Sequence, residues 1–289
     1  MTPPFRFEVE KPLNQYSTFG IGGPARFFIE IAKIEQMQAV ISYCYQQKLP
    51  YIVIGKGSNC LFDDRGFDGL VILNKIAFCQ FEWPVVSVGA GYSFSLLGAQ
   101  TARKGWSGLE FASGIPGTVG GAVYMNAGAS GAETQEALME VSYVNEKGAL
   151  EVLPKNLIAF SYRHSSFQEQ KGAIVAAKFL LLPSEEARKK QLSIIEYRTR
   201  TQPYSDKSAG CIFRNPSPLS AGALIQQAGL KGAKIGGAEV STVHANFIVN
   251  KGKAKAKDVL QLSEHVKKVV KEKTGQDLEM EVRCIPYQV

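Results

Sequence analysis

The chain has 289 residues, 45% of them hydrophobic and 20% charged, with a net charge of +7; this is the composition of ordinary globular domains, and the length suggests two. No run of about 18 uncharged apolar residues occurs, so no membrane insertion is expected. Five cysteines without a C-x-x-C pair and three scattered histidines argue against a disulfide framework and against a metal site, which reads as a reduced, cytoplasmic protein.

The opening MTPPFRFEVEKPL has prolines and acids and no apolar core, so it is not read as a signal peptide. RFFIEI (26–31) reads as a strand. Residues 33–48 have helical spacing at Ile34, Met37, Ile41 and Cys44 or Tyr45. YIVIG (51–55), GLVIL (69–73) and VVSVGAG (85–91) are further strands, the first running straight into KGSN. Ser93 is placed to cap a helix through Ala102 that stops near Gly105. Residues 140–154 read as a hairpin turning at Glu146-Lys147-Gly148, and 172–182 as a strand too apolar for exposure.

Pro183-Ser184 then opens a charged helix, 184–201, with Glu185 and Glu186 in its first turn, where the helix dipole favours them. The domain boundary is placed here: 1–183, with lobes 1–76 and 77–183, and 184–289. Beyond it the sequence predicts a strand at Cys211–Phe213, a helix around GALIQQAG, a strand HANFIVN (244–250), a lysine-rich helix and a last strand LEMEVRCI (278–285). Strands and helices do not alternate as regular βαβ units, so the fold class is α+β.

Residues 251–273 hold eight lysines against Asp258, Glu264 and Glu272, which is +5 of the +7. Val259, Leu262, Val266 and Val269 form an apolar stripe beneath them, so the lysines read as a solvated helix face. No aromatic residue interleaves with them, leaving no platform for stacking bases, and no nucleic-acid partner is expected. The surplus is compatible with an anionic small substrate.

Two glycine-rich stretches stand out. VIGKGSNCLF (53–62) is a strand followed by a glycine turn, where Gly55 and Gly57 permit close backbone approach and successive N–H groups can cup an anion. It is neither a phosphate-binding P-loop nor the dinucleotide fingerprint, and an ordinary tight turn is the competing reading. GIPGTVGGAVYMNAGASG (114–131) has six glycines in 18 residues. Close packing of a short helix on a sheet explains such a stretch; a backbone surface lying against something flat or phosphorylated explains it better. Two such loops would hold the two ends of a dinucleotide. SAGCIFRNP (208–216) carries Cys211, which alone reads as a small buried hydrophobe, a proton donor or a nucleophile.

Together YSTFGIGGPA (16–25), GKGSNCLF (55–62), GLEFASGIPGTVGGAVYMNAGA (108–129), SYRHSSF (161–167), AGCIFRNP (209–216), AGLKGAKIGGAEVSTVHANFIVN (228–250) and LEMEVR (278–283) closely resemble the UDP-N-acetylenolpyruvoylglucosamine reductases, in their shorter, type II form. The resemblance implies a two-lobed FAD-binding fold of the p-cresol methylhydroxylase and vanillyl-alcohol oxidase type, with a C-terminal domain binding the UDP-sugar. It implies FAD as cofactor and NADPH as co-substrate. The reaction would reduce UDP-N-acetylglucosamine enolpyruvate to UDP-N-acetylmuramate in peptidoglycan synthesis. A monomer is favoured.

By the same resemblance Arg163 pairs with the substrate carboxylate, Glu281 assists it, and Cys211 stands where better-known members have a proton-donating serine. A thiol, with an ordinary pKa of about 8.5, is a stronger acid than a hydroxyl, so Cys211 is read as the proton donor. FAD contacts carry over to Gly55, Lys56, Gly57, Ser58, Asn59, Ile115, Pro116, Gly117, Thr118, Gly120 and Gly121, with Ile174 and Arg283. UDP-sugar contacts carry over to Tyr162, Asn215, Lys231 and His244. The alternatives are a flavin oxidase of the same fold and a flavin- or nucleotide-sugar-binding module without turnover.

Overall fold

The computed structural model describes residues 5–288; the reading of the first residues as no signal peptide rests partly on residues 1–4, outside that range. The structure is mixed α and β throughout. It divides into two compact units: one of Phe28–Gly55 and Gly69–Arg198 with the stretch to Glu8, the other of Val9–Phe27, Lys56–Asp68 and Thr199–Val289. This division differs from a single cut after residue 183, because two early segments supply Phe19, Ile21 and Leu61 to the second unit's apolar core.

In the first unit a five-stranded sheet runs in the order Leu150–Pro154, Leu138–Asn145, Gly172–Leu180, Val85–Gly89, Cys79–Glu82, each neighbour antiparallel. The expected hairpin is its edge: Gly148 turns at φ +88°, and Asn145 Oδ1 accepts from Lys147 N and Ala149 N. Gly148 is also forced by packing, since a Cβ there would lie 2.6 Å from Gln38 O of helix Ile34–Gln47. That helix buries Met37, Val40, Ile41 and Cys44, contributing about 1.5–3 kcal/mol per fully buried large side chain. Tyr45 stays exposed. Strand Tyr51–Ile54 pairs in parallel with Phe67–Asn74. Ser93 caps helix Phe94–Arg103, its hydroxyl accepting from Leu96 N at 3.4 Å.

The charged helix spans Ala187–Thr201, so Glu185 and Glu186 precede it instead of forming its first turn. Leu182 and Pro183 are tied to Ser107 and Trp106 as a short antiparallel pair, and Ser184 N donates to Gly105 O; the chain is free to coil only after these bonds.

In the second unit Lys234–Ile235, Ala238–Val240 and Ile248–Asn250 form a small sheet, with helices Ala221–Gln227 and Ala256–Thr274. The last helix buries Val259, Leu262, Val266 and Val270, so Val270 takes the place expected for Val269. Two carboxylates satisfy its first N–H groups. Asp64 accepts from Ala256 N and Lys257 N at 2.7 and 3.1 Å. Asp258 accepts from Lys255 N and Gly237 N, bonds that hold its carboxyl below the usual range. The expected strands 211–213, 244–250 and 278–285 are mostly irregular. Regular strand survives at 248–250 and 283–285, and the rest pairs through single bridges, Cys211 with Phe247 and Phe213 with Met280.

No described helix is long and apolar enough to cross a membrane.

Candidate active site

The two glycine-rich stretches meet. A Cβ on Gly55 would overlap Thr118 Oγ1. Thr118 is the N-cap of the short helix Val119–Tyr124, accepting from Gly121 N. The stretch is stitched to residues 90–94 by Phe94 N→Gly117 O, Val119 N→Tyr92 O and Gly120 N→Ala90 O. Gly120 is required by that approach, because a Cβ there would lie 2.9 Å from Ala90 Cβ. Close helix packing therefore explains Gly120. It does not explain the exposed Pro116 and Gly121 or the half-buried Ile115 and Gly117, which present a nearly bare main chain. Just before them, Ser113 Oγ is buried with no hydrogen-bond partner in the structure. A thin main-chain surface beside an orphaned hydroxyl fits a bound flavin nucleotide.

Gly57 is needed for an internal reason: its φ is +59° and a Cβ would strike Tyr16 O. Lys56 is exposed, while Ser58 and Asn59 are half-buried. Asn59 ties the loop to the C-terminal segment within the second unit. Its Nδ2 donates to Glu281 O at 3.2 Å and its carbonyl accepts from Arg283 N at 3.0 Å. Strand Cys60–Phe62 continues this contact by pairing in parallel with Arg283–Ile285. Ile174 is a core residue, 6% exposed, whose carbonyl accepts from Asn74 Nδ2; its side chain packs in the interior.

Arg163 lies in the first unit, between two-residue strands Phe160–Ser161 and His164–Ser165. Its backbone is left-handed, φ +57°, a region that costs an arginine free energy and persists only when neighbours enforce it. Its Nη2 donates to Gly128 O at 2.9 Å, and its guanidinium lies 4.7 Å from the centroid of the Tyr162 ring. Asn126, fully buried, donates to Ser161 O and Glu133 Oε2 and accepts from Gln135 N.

In the second unit the Cys211 segment is clamped on both sides. Ile212 N donates to Asn246 O at 2.8 Å and Glu281 N to Ile212 O at 2.7 Å. Asn246, 2% exposed, completes the clamp: its Oδ1 accepts from Phe213 N and its Nδ2 donates to Phe213 O. Cys211, its neighbour Ile212 and Glu281 thus sit on adjoining main-chain runs. His244 Nδ1 accepts from Asn246 N at 3.2 Å, which places the proton of the neutral ring on Nε2. Its ring packs edge-on against Phe247. Asn215 Oδ1 accepts from Ala221 N at the start of helix Ala221–Gln227. Lys231 is exposed beside Gly232, φ +79°.

Asn126 and Asn246 escape a reading of the sequence alone. Their one signal is an amide inside an otherwise apolar or small-residue run. Cys44 is pushed up to about 12 and Cys79 to about 11 by burial, and burial also raises Cys60. These thiols carry little thiolate near neutrality. Among the described residues no cluster of metal-ligating side chains gathers. The cavity bounded by Lys234, Lys251 and Lys253, about 620 Å³, contains none of the candidate residues.

Residues 25–153 match the family model of an FAD binding domain. With the glycine-lined surface this defines the class: an FAD-dependent oxidoreductase of mixed α and β structure. Residues 202–285 match the model described as UDP-N-acetylenolpyruvoylglucosamine reductase, C-terminal domain. Enzymes of that name from Protochlamydia amoebophila and Chlamydia trachomatis are 57% and 50% identical, over all of this chain and 97% and 100% of their own. The crystal structure of the reductase from Thermus caldophilus superposes with a TM-score of 0.84 at 38% identity, covering 97% of this chain and 99% of that one. The chain belongs to the UDP-N-acetylenolpyruvoylglucosamine reductase family.

Proposed function

We propose that this chain uses NADPH to reduce the enolpyruvyl ether of UDP-N-acetylglucosamine to the lactyl ether of UDP-N-acetylmuramate, a step of peptidoglycan precursor synthesis, as a cytoplasmic monomer. Bound FAD supplies the hydride it receives from NADPH. The chain's part is to bind, polarise and protonate. Residues 1–183 carry the cofactor, and 184–289 supply the main substrate-binding surface. Gly55–Asn59 and Ile115–Gly121, with Arg283 and Ile174, are the residues that would hold FAD.

Hydride arriving at the terminal carbon of the enol ether leaves an electron pair on the other alkene carbon, shared with the carboxylate. Arg163 meets that carboxylate with a guanidinium, a fork suited to two oxygens, and Glu281 shares a proton with the same group. Cys211 delivers its thiol proton to the electron-rich carbon, closing the new C–H bond and leaving a thiolate that solvent reprotonates. Tyr162, Asn215, Lys231 and His244 hold the UDP-sugar, Lys231 as a point charge for the diphosphate and His244 through its Nε2–H.

The observation carrying the assignment of Cys211 is the double clamp that sets its segment against the Glu281 main chain. The test is anaerobic: the flavin is reduced with NADPH and its absorbance followed as the enolpyruvyl UDP-sugar is added. Rapid reoxidation is expected. Protein with no flavin, or reduced flavin indifferent to this sugar, refutes the reading.

A further inference from the structure

Five described non-glycine residues have positive φ: Glu10, Lys48, Asn126, Ser130 and Arg163. Lys48 ends a helix, where this conformation is ordinary. Arg163 lies in the two-residue turn of a hairpin that pairs Phe160 with Ser165 and Ser161 with His164, where a positive φ is called for but glycine, asparagine and aspartate are the residues that take it readily. It lacks the short polar side chain that eases asparagine into the same region.

Gln168 offers the restraint. Its Nε2 donates to Arg163 O at 3.1 Å and to Tyr124 O at 2.9 Å, with Met125 Sδ at 3.7 Å. A primary amide has two N–H groups, and these two carbonyls use both. Tyr124 is the last residue of the helix that closes the glycine-rich stretch. Its carbonyl is one of the acceptors a helix end leaves without an internal partner, and Ser165 Oγ shares it at 2.7 Å. One side-chain nitrogen therefore joins the strained main chain of Arg163 to the end of the cofactor-facing helix.

We propose that Gln168 is a positioning residue for the reductase reaction, fixing the Arg163 guanidinium at a set place relative to the Gly114–Tyr124 stretch. The proposal rests on the reading of Arg163 as the carboxylate's partner. Without the amide the Arg163 peptide relaxes toward ordinary φ, and the guanidinium turns with it. Misplacement of a positioning group by about 1 Å costs on the order of 10²-fold in rate.

The test uses Gln168→Met, which keeps length and loses both donors, and Gln168→Glu, which turns oxygens toward the two carbonyls. Each holoenzyme is reduced with dithionite, and reoxidation by the enolpyruvyl UDP-sugar is followed across pH, with FAD affinity measured by fluorescence. The expected result is reoxidation slowed about 10- to 100-fold in both variants with FAD affinity within twofold of wild type. Gln168→Glu should recover as the pH falls, because its protonated carboxyl donates again; Gln168→Met should not. Reoxidation within twofold of wild type in Gln168→Met overturns the proposal, as does FAD affinity that falls in step with the rate. Arg163→Ala, run alongside, separates the two ideas: intact reoxidation there refutes the Arg163 reading itself, whereas a loss confined to Arg163→Ala refutes the role of Gln168 alone.

Discussion

Arg163 and Cys211 are held by different kinds of bond. Around Arg163 a two-residue hairpin, Phe160 with Ser165 and Ser161 with His164, is supplemented by side chains reaching for carbonyls: Asn126 to Ser161, Gln168 to Arg163 itself, and the guanidinium to Gly128. Around Cys211 they are main chain to main chain, through Ile212, Asn246 and Glu281, with one side chain, Asn246, filling the gap. Main-chain pairing survives most substitutions. A φ of +57° on arginine costs free energy that its neighbours must offset. The first arrangement can be tuned by single mutations, and the second resists them.

The sharpest test is Cys211→Ala. Loss of a general acid lowers the protonation step about 10² to 10⁴-fold, and the clamp predicts no accompanying loss of folding. Reoxidation rate and thermal stability measured together check this; a large drop in stability would mean the thiol is chiefly packing. Cys211→Ser should keep turnover and move the alkaline limb of the pH profile upward, the hydroxyl being the weaker acid. An unmoved limb rules out the thiol as donor.

Asn126→Ala probes the other side. It leaves Ser161 O and Gln135 N short of a buried partner, at about 1–3 kcal/mol, and should also slow reoxidation by freeing the Arg163 turn. Denaturant unfolding and stopped-flow reoxidation report the two effects. A stability loss with normal reoxidation would show that Arg163 does not depend on its neighbours' side chains.

Asp64→Ala removes the cap of helix Ala256–Thr274 and should cost about 0.5–2 kcal/mol, read in urea, with reoxidation retained because the clamp lies elsewhere.

The smallest effect concerns Glu110, which is 2% exposed. Burial raises its pKa, but bonds from Ser107, its own N–H and Gly108, with the nearby Lys190 charge, outweigh this and hold it below the usual value. A depressed folded pKa stabilises the native state above the ordinary carboxylate range, and that contribution is lost as the pH falls through the depressed value. The melting temperature of Glu110→Gln should therefore fall less steeply on acidification than that of wild type. Parallel curves would dismiss the carboxylate as a source of acid sensitivity.

Long periodic stretches were legible in the sequence. Helix Ile34–Gln47 and the Gly148 hairpin lie within a residue or two of their expected bounds, and the lysine-faced helix fills most of the 251–273 stretch, starting at Ala256, because hydrophobic spacing and glycine turns act locally. The segments around Cys211 and Glu281 were not legible as structure. They pair through single bridges with partners far away in the chain, and no local pattern marks such contacts. The glycine stretches were read correctly as unusual but only partly for the right reason. Gly57 and Gly120 answer to Tyr16 and Ala90 of the same chain, while Pro116 and Gly121 face outward. Motif resemblance named Arg163, Cys211 and Glu281. It gave no hint of Asn246 or Gln168, whose importance lies in which carbonyls they reach.

The bond from Asn59 to Glu281 spans 222 residues of sequence, and this bears on how the protein is made. At about 5–20 residues per second, a ribosome needs roughly 10–40 s to travel between them. For most of that interval Phe19, Ile21 and Leu61 have been made without the core they will join, whereas the first unit has all its sequence once Arg198 is added. The nascent chain is thus exposed at its beginning until its last strand emerges. A chaperone should find it by its N-terminal apolar segments, and a stop codon just after Arg198 should yield a chain whose first unit folds while Phe19, Ile21 and Leu61 stay without their core.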